Sequence, residues 1–276
     1  MQAYRAPLFG NLPPVIKNLL IINILLFLAD MALPTIGIDI TRFLALHNIQ
    51  SEYFRPFQFV THMFMHGGLT HIFFNMFALV MFGRMLEMVW GAKRFLIFYF
   101  VTGLGAAALH SAVNFISLSG MQTAITAFNN TPSPELFLTF IREYLPNASA
   151  GVNDFISSYS SNPNQHSYTQ EAMLIMDKVY TMNLNIPTVG ASGAVFGVLL
   201  AFGMLFPNTQ LMLLFPPIPI KAKYFVLIYG AIELFAAVIP QPGDNVAHFA
   251  HLGGMIFGFF LIKYWNNKGI GKYDRF

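Results

Sequence analysis

Six apolar stretches, about residues 15–33, 69–90, 95–117, 188–206, 223–240 and 246–265, constrain this chain more than any motif does. Crossing a bilayer takes about 20 mostly apolar residues, and inside lipid every backbone polar group must be satisfied internally. Runs of this length therefore read as membrane helices. The 276 residues are 55% hydrophobic and only 10% charged, against about 25% charged in a soluble domain. The expectation is an all-α polytopic membrane protein whose spans form one domain over 1–276. Lys17, with no small-residue cleavage site after the first run, reads as part of an uncleaved anchor. Tyr264 and Trp265 close the sixth run as an interfacial pair. The absence of cysteine excludes disulfides, thiolate nucleophiles and thiolate metal sites.

With six spans the termini share a side. Of the 15 Lys and Arg residues, only Arg42, Arg55, Arg142 and Lys178 fall on the other side, and those lie in longer segments. The excess of positive charge beside the termini places both of them in the cytoplasm. Residues 119–187, rich in Ser, Asn, Thr and Pro, then form a long external loop before the fourth span. Two pieces of it have helical signals. Ser133-Pro134-Glu135 reads as cap, first-turn proline and first-turn acid, and Thr169 reads as the cap of a second helix. Both pieces are amphipathic and suited to a membrane surface. No nucleic-acid signature is present.

Spans two, four and six run in the same direction and all begin at the external face. The second opens with HGGLTHIFFN, which supplies His66, His71 and Asn75. The fourth opens with TVGASGAVFG, which supplies Ser192, and the sixth with AHFAHLGG, which supplies His248 and His251. Ser192 and His251 lie about five residues in, roughly 6–8 Å below the surface at 1.5 Å per residue. Gly193 with Gly197 and Gly254 with Gly258 form two GxxxG pairs, which let helix backbones approach closely. If those faces meet, Ser192 and His251 meet at the top of the contact.

A serine hydroxyl becomes an effective nucleophile when a base takes its proton, and neutral imidazole is the usual base. The tetrahedral intermediate needs donors at its oxyanion. His71 and Asn75, at i and i+4, share a helix face and can both donate. The Ser192 backbone amide adds a donor where the helix dipole favours negative charge. His66 falls off that stripe. Asp244, seven residues before His251, reads as a turn residue rather than an orienter. Glu233 reads as a protonated or hydrogen-bonded group inside the fifth span, although an intramembrane carboxylate is by default a functional one. The residues therefore read as a Ser–His dyad. His62 and His110 read as structural groups, His248 as an interfacial one, and Asp30 as a span-end residue reaching water.

These motifs, GASGAVFG, HGGLTHIFFN and AHLGGMIFG in order along six spans, resemble the rhomboid family of intramembrane serine proteases. The resemblance implies Ser192 as nucleophile, His251 as base, and His71, Asn75 and the Ser192 amide as oxyanion donors. Gly190 and Ala191 would frame the nucleophile turn, and Gly193, Gly254 and Gly258 the helix contact. Phe54-Arg55 falls where the family often has Trp-Arg, so Arg55 is kept and the aromatic changed. Glu87 resembles an acidic residue that supports the first external loop, and Phe196 an aromatic that packs on the catalytic imidazole. The implied reaction is hydrolysis of peptide bonds in or beside transmembrane segments of other proteins, in the bilayer, without metal or cofactor. The implied place is a bacterial inner (cytoplasmic) membrane, with the site open to the outside. A rhomboid-like protein that only binds membrane clients would have lost the serine or histidine. A lipid hydrolase would share the dyad. A haem or metal protein using His66, His71, His248 and His251 would leave the GASG turn unexplained.

Overall fold

A computed structural model describes residues 12–212, 217–239 and 247–268. Asp244 and the terminal charges Arg5, Lys272 and Arg275 lie outside the described residues. All six apolar stretches are helical: α1 (Pro14–Ala32), α2 (Leu69–Trp90), α3 (Ala92–Asn130), α7 (Ser192–Leu205), α8 (Ala222–Val238) and α9 (His248–Asn267). The first three are long and apolar enough to cross a membrane by length and composition. Many of their large side chains point outward, among them Leu25, Phe73 and Phe74, with Leu227 on α8 and Phe260 on α9. Such faces would be a liability in water and are at home in lipid.

Each helix begins or bends for a local reason. Pro14 sits at the first position of α1, where its missing N–H costs nothing. The next two free N–H groups, on Val15 and Ile16, donate to the two carboxylate oxygens of Glu87, each at 2.9 Å. Glu87 is buried and lies in the last turn of α2, so it holds the start of α1. The expectation that it supports the first external loop is corrected: that loop lies at the other end of α1, and the carboxylate is spent on orphan helix donors. Hydrogen bonds to a charged group contribute about 1.5–3 kcal/mol each. Glu87→Ala should therefore lower stability by about 2–4 kcal/mol, read as a lower unfolding temperature in detergent. An unchanged temperature would reject the role.

α7 has 14 residues, about 21 Å, shorter than the hydrocarbon core it would cross. The fourth stretch was expected to be a span from residue 188, but residues 188–191 are not helical. α3, with 39 residues, overshoots its expected end near 117 and runs on to Asn130.

That overshoot changes the reading of residues 119–187. They are not a loop but α3's outer end followed by α4 (Pro134–Tyr144), α5 (Ala150–Ser161) and α6 (His166–Leu184). Ser133 caps α4 as expected, its hydroxyl accepting the Leu136 N–H at 3.2 Å. Thr169 does not cap α6, which starts three residues earlier after Gln165. Nor are these helices free to lie on a membrane. They bury Phe128, Phe137, Phe140, Phe155, Tyr159 and Met176 against one another, in a core separate from that of the membrane helices. Between α7 and α8, β1 (Gln210–Met212) pairs antiparallel with β2 (Pro219–Lys221).

Candidate active site

The segment entering α7, residues 188–191, is non-helical, and its backbone is tied to the loop between α1 and α2. Thr188 and Leu46 exchange backbone hydrogen bonds of 2.9 and 2.8 Å, and the Gly190 N–H donates to the His62 carbonyl at 2.9 Å. The loop between α1 and α2 thus clamps the turn before Ser192. Its own hub is Gln58, fully buried, which accepts from the His47 and Arg55 amides and donates to the Phe43 and Tyr53 carbonyls. Arg55 turns back on its own loop, donating to the Glu52 and Phe54 carbonyls at 2.9 and 2.7 Å. His62 is structural, its ring bonded to the Gln58 carbonyl at 2.8 Å.

Gly190 has φ 128°, a region side chains rarely adopt. A Cβ there would also stand 2.8 Å from Cε1 and Nε2 of His71 and 3.5 Å from the Ser192 hydroxyl oxygen. Gly190 thus packs between the His71 imidazole and the Ser192 hydroxyl. Ala191 follows, fully buried, and Ser192 is the first residue of α7.

α7, α9 and α3 then meet through small residues. A Cβ on Gly254 would overlap the Gly193 carbonyl, and one on Gly193 would overlap Ala106. Gly197 lies against Thr102, and a Cβ on Gly258 would come within 3.5 Å of Gly197 Cα. The two GxxxG faces meet as the spacing suggests, and α3 joins them through Thr102 and Ala106, which the sequence did not signal.

His251, on the first turn of α9, is buried and held from two sides. Phe196 stacks on its ring at 4.1 Å between centroids and 10° between planes. Its Nδ1 lies 2.9 Å from Glu233 Oε2, and His248 Nδ1 lies 2.6 Å from the same oxygen. An Nδ1–H donated to the carboxylate leaves Nε2 as the nitrogen free to take a proton. Glu233 is thus hydrogen-bonded, as expected, but the sequence did not connect it to His251, 18 residues on. Its signal was there: a lone carboxylate in an apolar helix needs a partner. Likewise His248 is not simply interfacial. The ligating atoms of Glu233, His248 and His251 lie within 4.8 Å of one another, the one such set among the described residues that could hold a metal.

On α2, His71 Nδ1 lies 3.4 Å from the Gly67 N–H. Accepting there puts the ring proton on Nε2, the nitrogen facing Gly190. Asn75 donates from Nδ2 to the His71 carbonyl at 2.9 Å, which uses one of the two amide hydrogens. His66 is buried and packs edge-on against His71, 5.0 Å between centroids. His110 bonds the Thr188 hydroxyl at 3.0 Å from the other side.

A cavity of about 1210 Å³ connects these groups. Ser192, His251, His71 and Asn75 all line it, with Asn114 from α3 and Asn183 from α6. Such a volume admits water and an extended peptide segment together. A nucleophile, an imidazole oriented by a carboxylate, and a second imidazole presenting N–H are the parts of acyl transfer.

A family model described as the Rhomboid domain matches residues 52–132 and 150–266. The unmatched interval, 133–149, contains α4. "Rhomboid protein 1, mitochondrial" of Saccharomyces cerevisiae is 35% identical over 86 residues, which are 31% of this chain and 24% of that protein. The chain thus spans about a quarter of that relative's length.

Proposed function

This chain belongs to the rhomboid family, and on that premise we propose that it is an intramembrane serine protease that cleaves transmembrane proteins in or beside their membrane segments. Ser192 is the nucleophile and His251 the base. His71 Nε2, the Asn75 amide and the Ser192 backbone N–H receive the oxyanion. The observation that supports this reading most is that Ser192, His251, His71 and Asn75 line one cavity, with Gly190 packed between the His71 imidazole and the Ser192 hydroxyl.

We read the short α7 and the non-helical residues before it as setting Ser192 below the membrane surface, so that water reaches it through the cavity. A substrate helix must unwind locally to offer its scissile bond, because a hydrogen-bonded carbonyl within a helix is shielded from attack. The asymmetry of Lys and Arg supports six spans with cytoplasmic termini and a cavity opening to the opposite side. Gln58, Arg55 and the Leu46–Thr188 bridge keep the external loop and the nucleophile turn together and take no part in the chemistry.

A fluorophosphonate tests the nucleophile directly. Wild type should be labelled once, at Ser192 by peptide mapping, and Ser192→Ala should not be labelled. Equal labelling of both would show that another residue reacts.

A further inference from the structure

We infer that Glu233 is the positioning residue for His251, so that the site works as a Ser192–His251–Glu233 relay rather than a dyad. This rests on the reading of Ser192 as nucleophile and His251 as base. Glu233 stands on α8, a helix that presents large apolar side chains on its other faces. A carboxylate there is costly unless something holds it. Two imidazoles do, and they converge on one oxygen, His251 at 2.9 Å and His248 at 2.6 Å. His248 thereby fixes the oxygen that His251 uses.

The geometry fits orientation better than ligation. Both Nδ1 atoms are within hydrogen-bond distance of the same carboxylate oxygen, which is donors meeting an acceptor rather than three ligands around a vacant point. With Nδ1–H committed to Glu233 and Phe196 stacked on the ring face, His251 keeps one tautomer and one ring plane. When Ser192 attacks, the Oγ–C bond forms at the scissile carbonyl and the hydroxyl proton moves to Nε2. The Nδ1 proton stays on the imidazole, and Glu233 keeps its charge beside the imidazolium. The carbonyl π pair moves onto oxygen; as it returns, the C–N bond breaks and the proton passes from Nε2 to the leaving amine. Water, giving its proton to Nε2, then displaces the acyl group from Oγ, which takes that proton back. Glu233 is not among the residues lining the cavity, so its effect should fall on turnover and not on binding.

The test uses the purified full chain and a single-span model substrate. Glu233→Gln should lower kcat by about 100-fold or more while KM stays within about twofold, and should slow fluorophosphonate labelling of Ser192 in step. Glu233→Asp should keep more turnover than Glu233→Asn, because charge matters as well as shape. That pair decides the question if the glutamine variant does not fold. A kcat for Glu233→Gln within about threefold of wild type would overturn the inference, and so would equal turnover in the aspartate and asparagine variants. Loss of wild-type activity in a chelator, restored by zinc, would also overturn it by making the cluster a metal site. The underlying reading fails separately, through retained cleavage by Ser192→Ala.

Discussion

Ser192→Ala is expected to lower cleavage of a single-span membrane substrate by about 10⁴-fold or more, and His251→Ala by a similar factor. The two groups act in one step, so the double variant should be little worse than either single one. The serine substitution removes one oxygen at the head of α7, next to the cavity, and leaves the Gly193–Gly254 contact untouched. Folding should therefore survive, which helical content and unfolding temperature in detergent would check. The histidine substitution also removes the stack on Phe196 and one of the two imidazoles at Glu233, so a modest loss of stability is expected with it. Product masses from a panel of membrane substrates are the readout. Cleavage retained in either folded variant would remove that residue from the mechanism.

Gly190→Ala should cost turnover almost as heavily, by about 100-fold or more, although it removes neither the hydroxyl nor the base. Two independent penalties act. A side chain at φ 128° is strained, by about 1–3 kcal/mol. The added methyl would also enter the space of the His71 imidazole, 2.8 Å from two ring atoms. Relief requires His71 to move, which takes its Nε2 away from the oxyanion, or the turn to open, which moves Ser192. Gly151→Ala is the control, since its methyl meets nothing closer than 4.0 Å and lies in the outer helices. Comparable kcat in the two variants would show that the turn does not set the site.

The parts of this molecule that were legible in the sequence are those governed by local pattern. Hydropathy marks the six apolar stretches, and Ser133-Pro134-Glu135 announces α4 because capping is chemistry within one turn. The motif glycines announce close approach, and the structure places Gly193 against Gly254. What was not legible depends on partners far along the chain. Glu233 reads as an isolated carboxylate until α8 and α9 are packed together. Glu87 reads as a support for a loop until the start of α1 is laid against it. Gln58 carries no signal at all, since its four contacts are with backbone groups. α5 was hidden by composition: Val152, Phe155, Ile156 and Tyr159 keep helical spacing among serines that lower the mean. The same holds past residue 117, where Leu118, Met121 and Phe128 continue the buried stripe of α3 after its hydropathy falls.

That continuity has an angular consequence. α3 buries Ala106 and Ala107, the first of them against Gly193 and Gly253, and carries Leu118 and Met121 in the outer core, without a break between them. Each helical residue turns the chain by about 100°. The compass bearing of the outer core over the cavity mouth is therefore fixed by the number of residues between Ala107 and Leu118. One residue more or fewer would swing the outer core about a quarter turn away from the mouth while both cores stayed intact.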